Sequence, residues 1–520
     1  MKLSLLYHTL RHLRLRQLVY QVWYRLYKPS YAPVQMHSLA TLPHMLPFSR
    51  KEKSYIEGDF TFISLKGEFI HWQDTSRGML WTYNLNYMDW LLQEELSYEE
   101  GKDWIDRFIA DLPVNKIGQD PYPTALRIIN WIKFICLHRE HIQDDTRLVW
   151  DASLRAQVDL LTRKLEYHLL ANHLLEDVCA LFIASIYLFD EALSKRSSKL
   201  LKAELLEQIL PDGAHYEQAP MYHCILLERL LDCYNFASAN TDKLSDSSIL
   251  DVLRGAVVAM LGHLDSIVYK DGSIPLVNDS AYGIALPYET ICAYARSLGL
   301  DWCSIPLAES GYRWLRNGTL EVLVDVGNVT AVYQPGHTHA DSLSYELRMD
   351  GKPLVVDTGI STYNKTPRRD YERSTSAHNT VVVEGRSSSQ TWGGFRVGRR
   401  AQTTLLLDIE TRIQAQHDGY GKSCVHRREF VLEEDGFKIR DSIPQDRAVS
   451  LLHLAPSIKI LSINLTEVHT SVGAIIEICG AEQVVITEEY ISRRYNQKER
   501  VYVLEILFSK DVEYFIRKNR

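Results

Sequence analysis

The chain has 520 residues, 46% hydrophobic and 24% charged, the balance of a globular protein with more than one core and little disorder. Its formal net charge of −8 gives it no general attraction for nucleic acid or other polyanions, so an anionic ligand has to be met by positive groups gathered locally. No apolar run is long and clean enough to span a bilayer, and the 8 cysteines, none in a Cys-x-x-Cys pair, read as reduced core residues rather than a disulfide frame or thiolate metal site.

Between Met1 and Pro29 the chain carries Lys2, Arg11, Arg14, Arg16, Arg25 and Lys28, interleaved with leucines and without one acidic residue. A basic amphipathic helix of this kind suits peripheral contact with an anionic membrane surface. It equally suits a first helix docked on its own domain, and that reading is preferred because charge runs usually mark solvated faces. No uninterrupted apolar stretch with a small-residue cleavage site is evident, so action in the cytoplasm or at its membrane face is favoured over secretion.

Up to about residue 312 the pattern is helical. Ala125 to Cys136, Leu154 to Leu170, His173 to Leu188 and Tyr222 to Ala239 carry apolar residues at spacings of three and four, separated by turns such as Pro211-Asp212-Gly213. Many helices joined by short turns suggest stacked antiparallel hairpins in a curved or toroidal array. Beyond that point the period becomes that of strands: Leu320 to Val326, Ser344 to Met349, Leu354 to Val356, Thr380 to Gly385, Ile475 to Ile478 and Val501 to Phe508. The prediction is an α+β chain, with a helical domain over 1–312 and an antiparallel β-sandwich over 313–520.

Titratable residues gather in four places. Asn172, His173 and Glu176 sit at the start of an apolar helix at spacings that let them share a face, either as a polar cluster or as a cap followed by a partly exposed histidine. Pro220 suits the first turn of a helix, which places Tyr222 near the positive end of the helix dipole, where a phenolate is favoured and the pKa is expected to fall. His337 and His339, if in a strand, point to one face. Asp357 ends a strand and His378 precedes another; with His339 they supply two imidazoles and a carboxylate, a donor set that suits zinc, although Asp357 could merely cap its own turn. Phosphate loops, a Gly-x-Gly-x-x-Gly opening a helix, a Gly-x-Ser-x-Gly elbow and His-Glu-x-x-His are absent from the sequence, which weighs against nucleotide-dependent transfer and serine hydrolysis.

Taken together, Asn172-His173-Leu174-Leu175-Glu176, Ala219-Pro220-Met221-Tyr222-His223, Gly336-His337-Thr338-His339-Ala340-Asp341, Val356-Asp357-Thr358-Gly359 and Ser376-Ala377-His378-Asn379-Thr380 resemble, in order and spacing, the heparinase II/III-like polysaccharide lyases and related alginate lyases. One departure is Ala219, where many members have serine. The resemblance implies an α/α toroid followed by a β-sandwich, with the active cleft between them. It implies β-elimination on an anionic, 4-linked uronic-acid polysaccharide that leaves a C4–C5 unsaturated end.

The roles it implies are Tyr222 as acid and for some substrates also base, His337 as partner base or charge-stabilising group, Asn172 and His173 as carboxylate binders oriented by Glu176, and His339, Asp357 and His378 as holders of a structural zinc. Trp81, Asn84, Tyr122 and Trp131 are candidate sugar contacts, with core packing an equal account of each. A uronate C5-epimerase would use the same carboxylate clamp and proton removal, a zinc-dependent glycan hydrolase would use the metal to activate water, and a non-catalytic glycan-binding protein would keep the fold alone.

Overall fold

The protein is described from a computed structural model covering residues 2–519. The helices are α1 (Lys2–Leu10), α2 (Leu15–Leu26), α3 (Met79–Tyr87), α4 (Tyr98–Asp111), α5 (Pro121–Leu137), α6 (Asp144–Arg163), α7 (Ala171–Tyr187), α8 (Glu191–Gln208), α9 (Pro220–Ser238), α10 (Ile249–Ile267), α11 (Tyr288–Ser297) and the short α12 (Pro367–Glu372). Their sequence patterns explain their places. In α4 the apolar residues form one stripe and Ser97 with Glu100 closes a capping box, so the helix lies at the periphery. In α7 nearly every residue is buried, its polar residues mostly gathered in the first two turns and the rest almost all apolar, so it takes a central position against α5, α8 and α9. The helical hairpins build the α/α toroid, and one apolar core runs through it.

The β-strands follow. A small meander, β1 (Tyr55–Ile56), β2 (Asp59–Phe62) and β3 (Leu65–Glu68), sits inside the helical half, where Tyr55 and Phe60 pack on Trp90 and Trp104. The helical periodicity of this half did not predict it. The second half opens with a four-stranded antiparallel sheet, β4 (Tyr312–Arg316), β5 (Leu320–Asp325), β6 (Tyr345–Met349) and β7 (Lys352–Val355).

The remaining strands are β8 (Val381–Val383), the β9 (Thr391–Trp392) and β10 (Arg396–Val397) pair, β11 (Thr403–Ile409), β12 (Arg412–His417), β13 (His426–Leu432), β14 (Gly436–His453), β15 (Ile460–Ile463), β16 (Glu467–Thr470), β17 (Ala474–Cys479), β18 (Gln483–Ile491) and β19 (Glu499–Lys518). All but the β9–β10 pair form a ten-stranded sheet built around the long β14–β19 ladder. The register of that ladder shifts between Ile443 and Ala448, which lets one strand bend through both ends of the sheet.

The four-stranded sheet is the middle layer. Val322, Val324 and Leu347 join Phe430, Ile439 and Leu504 in the sandwich core, while Tyr312 and Leu323 join the helical core on the other side. Burial on both faces explains why β5 reads as a nearly continuous apolar run. At the boundary Gly311 has φ 84° and lies against Gly327, so a side chain at 311 would collide with that backbone.

Three local expectations change. The helix predicted through Leu170 stops at Arg163, and residues 164–170 form a tight turn that delivers Glu166 to the functional region. His337 and His339 lie in a loop between β5 and β6, not in a strand. Cys303 and Cys479 are exposed rather than core, although all eight cysteines are free as the sequence suggests.

Candidate active site

The helical half supplies the first groups through strained turns. Leu170 and Ala171 both occupy the left-handed region, with φ of 65° and 56°, immediately before Asn172 and His173 at the head of α7. Such strain in consecutive non-glycine residues persists only where surrounding contacts impose it, and it clusters at functional positions. Asn172 Nδ2 donates to Glu217 Oε2 at 2.7 Å and lies 3.2 Å from His337 Nε2. His173 Nδ1 is 3.0 Å from Glu166 Oε2, and its ring meets Tyr122 at 4.8 Å between centroids. Burial alone would lower the His173 pKa, but the Glu166 carboxylate outweighs it and the pKa is raised, so the imidazolium persists to higher pH than usual. The side chain is still 33% exposed.

Tyr222 stands in the first turn of α9, which Pro220 opens as the sequence predicts. Its ring stacks on His337 at 3.9 Å with 27° between planes, and its Oη is 3.0 Å from Tyr363 Oη. The predicted fall in its pKa does not occur. Burial raises it well above the ordinary value, and Asp279 and Glu217 push the same way; the helix dipole does not reverse this. The resting group is a neutral phenol.

The β half contributes His337, Tyr363 and Arg369, and all converge on a residue the sequence reading missed. Asp279, in the loop before α11, is fully buried and accepts from His337 Nδ1 at 2.9 Å, His339 Nε2 at 2.8 Å, Arg369 Nη1 at 2.5 Å and Arg369 Nη2 at 2.6 Å. Burial would raise the Asp279 pKa, but the paired guanidinium and imidazoles hold it well below the carboxylate range. A charged Asp279 sets the tautomer of His337: Nδ1 carries the proton and Nε2 presents a lone pair toward Asn172 and Tyr222's side of the site. The available sequence signals for Asp279 were the Asn-Asp-Ser turn and an invariable need for a counter-charge to buried Arg369; neither is specific without the fold.

The other predicted residues divide. Tyr122 is half-buried beside His173 and Tyr87, within the site. Glu176 is fully buried and bonded to Arg229 Nε at 2.7 Å, so it neither reaches a ligand nor orients His173, a task that falls to Glu166. Trp81 and Trp131 are core residues: Trp131 packs edge-on to Phe108 with its Nε1 toward Met88 Sδ at 3.2 Å. Asn84 is half-buried and its amide donates back to Leu80 O at 2.8 Å, so its local helix absorbs it.

Asp357 Oδ2 meets His378 Nδ1 at 2.7 Å, and the His339 and His378 rings are 5.2 Å apart. His339 Nδ1 and His378 Nε2 are buried with no hydrogen-bond partner. Asp325, Asp341 and Asp357 all act electrostatically on His378, and burial pushes the Asp325 and Asp341 pKa values up, helped by Asp341 at Asp325 and, against the pull of His378, by Asp357 at Asp341. Orphaned imidazole nitrogens within an excess of buried carboxylate are what a dication would satisfy, so the donor types fit zinc. Among the described residues, no group of three is already gathered at metal-binding geometry; Asp357 and His378 are instead paired to each other.

Comparison with known proteins bears on the family and the fold. The family description Heparinase II/III N-terminus matches residues 128–288, and Heparinase II/III-like, C-terminal, matches residues 300–512. The chain belongs to the heparinase II/III-like family. It is 22% identical over 218 residues to a heparin-sulfate lyase of Pedobacter heparinus, covering 36% of this chain and 31% of that one. It is 22% identical over 279 residues to a heparin-sulfate lyase of Bacteroides thetaiotaomicron, covering 46% and 40%. The matches therefore span less than half the length of these curated relatives. A crystal structure of heparinase III superposes with a TM-score of 0.68 at 16% identity, covering 87% of this chain and 80% of that one. A heparan sulfate lyase of Pedobacter heparinus gives 0.56 at 15%, covering 89% and 81%. These likenesses establish the α/α toroid plus β-sandwich fold.

Replacing Asp279 by Asn leaves the buried Arg369 guanidinium without its counter-charge. The expected result is a loss of ~3–5 kcal/mol, the cost of breaking a buried ion pair, read as an earlier transition in chemical denaturation. An unchanged transition would show that Asp279 does not join the two halves.

Proposed function

We propose that the protein is a polysaccharide lyase that cleaves a 4-linked uronic-acid polysaccharide by β-elimination. The observation that carries this reading is the stacked Tyr222–His337 pair: a neutral phenol in ring contact with an imidazole whose tautomer is set by a buried carboxylate. Two proton-transfer groups side by side, with Asn172 in contact with His337 and a cationic His173 next to it in the chain, are what elimination next to a carboxylate needs.

The proton on C5 of a uronate is weakly acidic while the neighbouring carboxylate is ionised. Protonated His173, with the Asn172 amide turned to the substrate, binds that carboxylate and stabilises the charge that develops on it. His337 Nε2 takes the C5 proton, and the C5–H electrons form the C4–C5 double bond as the C4–O bond breaks. The Tyr222 hydroxyl gives its proton to the departing O4, and the imidazolium left on His337 is stabilised by Asp279. The proton on His337 then returns the tyrosinate to phenol, so no water is consumed. The raised Tyr222 pKa supports the acid assignment and opposes its use as the base.

The geometry supports elimination over its rivals. An epimerase must return a proton to the opposite face of C5, which calls for two groups set apart, whereas Tyr222 and His337 are stacked ring on ring. A metal hydrolase needs its metal open to substrate and water, whereas His339 and His378 have no exposed side-chain surface and lie behind Asp279. A zinc ion held by His339, Asp357 and His378 would neutralise the buried carboxylates and brace the loop carrying His337. Heparan-type chains are the first substrates to test, because the curated relatives are named heparin-sulfate lyases.

Incubation with a panel of uronate polysaccharides should raise the ultraviolet absorbance of a conjugated C4–C5 double bond. Tyr222→Phe should lower kcat by about 10²–10⁴-fold, the usual size of a general acid–base contribution. A folded protein that yields saturated products, or a fully active Tyr222→Phe, would overturn the assignment.

His173 acts as the imidazolium, and its pKa is raised, so kcat/KM should carry an alkaline limb, falling as pH rises through that pKa, above about 6.5. His173→Gln should show a low kcat/KM without that alkaline limb. Retention of the limb would assign it to another group.

The metal reading is checked by elemental analysis of the native protein, which should give one zinc per chain. Removal by a strong chelator should lower the thermal transition, and His378→Ala should abolish both the zinc and the chelator effect.

A further inference from the structure

The helix α2 is amphipathic in the reverse sense. Its body-facing side is made of Gln17, Tyr20 and Tyr24, at spacings of three and four. Gln17 is buried, and its amide donates to Leu169 O at 3.2 Å in the helical half and Tyr333 O at 3.3 Å in the β half. Tyr24 donates to Leu165 O at 2.5 Å, and the Tyr20 ring lies 4.8 Å from Tyr167. The opposite side carries Leu15, Leu18, Val19, Val22, Trp23 and Leu26, a row at i, i+3, i+4, i+7, i+8 and i+11 whose members are 37–79% exposed. Scattered exposed apolar residues are ordinary, but a continuous helical row of six marks a surface that something covers. Leu6, Tyr7 and Leu10 of α1 are exposed as well.

The charge around the row selects the occupant. No Asp or Glu precedes Glu52, although the whole chain carries −8. Arg16 and Arg25 flank the row, with Arg11 and Lys28 beyond its two ends, and all four are exposed. A second copy of the chain would bring these cations against one another with no acid in the segment to pair with them. A polysaccharide would use the cations and leave the leucines in water. Anionic phospholipid satisfies both features, headgroups against the cations and acyl chains against Trp23 and the leucines. At 12 residues α2 is ~18 Å long, against ~30 Å for the hydrocarbon core of a bilayer, and among the described residues no helix is long and apolar enough to cross one.

We infer that α2 is a membrane-surface anchor: its tyrosine and glutamine side clamps the seam between the two domains, and its apolar row inserts into the interface of an anionic bilayer. This is independent of the elimination chemistry, since no residue of the row belongs to the candidate active site. The docked-helix reading holds for the Gln17–Tyr20–Tyr24 side of the helix, and the membrane contact is inferred for the opposite side.

Flotation of the full chain with vesicles tests it. The protein should float with equimolar phosphatidylcholine and phosphatidylglycerol, float less with phosphatidylcholine alone, and be released by salt. Combined Leu15→Ser, Val22→Ser, Trp23→Ser and Leu26→Ser changes touch only exposed side chains and should cut the vesicle partition coefficient by at least ~10-fold with circular dichroism unchanged. Arg25→Glu with Lys28→Glu leaves the row intact and should weaken anionic-vesicle binding alone. The inference fails if the native chain does not float, if both variants float as it does, or if it is a dimer in solution that the serine variant makes monomeric.

Discussion

The buried carboxylate of Asp279 is the constraint on which the site depends. It belongs to the helical half, yet its four acceptor contacts are all made by side chains of the β half, His337, His339 and Arg369. Taking a carboxylate fully out of water is costly, and the cost is offset only when a guanidinium and further donors meet it with good geometry. The domains therefore have one favoured way to sit together at this point. Asn278, in the left-handed region at φ 54°, anchors the same loop by donating to Gln218 O and Tyr312 Oη, and Tyr312 donates to Gln218 O in turn. Gln218 is itself in the left-handed region and leads into Pro220 and α9, so the position of Tyr222 descends from the same junction.

The electrostatic division within the site follows from solvent access as much as from charge. Tyr222 is half-buried between His337 and Tyr363 and near two carboxylates, so its proton is held. His173 is partly open to solvent and faces Glu166, so its charge is held. His339 is wholly enclosed, and burial pushes its pKa down to about 4 despite the hydrogen bond to Asp279. Three groups of ordinary intrinsic acidity are thereby sorted into a proton donor, a cation and a neutral imidazole. That sorting is the kind of pKa separation that assigns acid and base roles.

Much of this was legible in the sequence because its signals were local. The change from helical to strand periodicity near residue 312 falls where α11 gives way to β4, and Pro220 announces the start of α9. What failed was non-local. Apolar content ran through residues 164–170 and concealed the turn that carries Glu166, because those residues pack while the backbone is not helical. Glu176 shares a helical face with Asn172 in projection, but that face one turn on is inside the core, where Arg229 comes from α9 to meet it. Asp279 had no motif at all; its importance lies in partners 58, 60 and 90 residues away.

The same junction ties the candidate metal donors to the chemistry. His339 spends Nε2 on Asp279 and leaves Nδ1 unpaired on the side of its ring away from that carboxylate, while His378 and Asp357 lie beyond it. A cation bonded to His339 Nδ1 would fix the proton on Nε2 and strengthen its donation to Asp279. A more firmly held Asp279 would in turn orient His337. An ion in that position would act on His337 only indirectly, through one shared carboxylate. A buried location with no exposed donor surface is a sound design for such a role, since it excludes competing ligands and water while preserving the path of hydrogen bonds to the site.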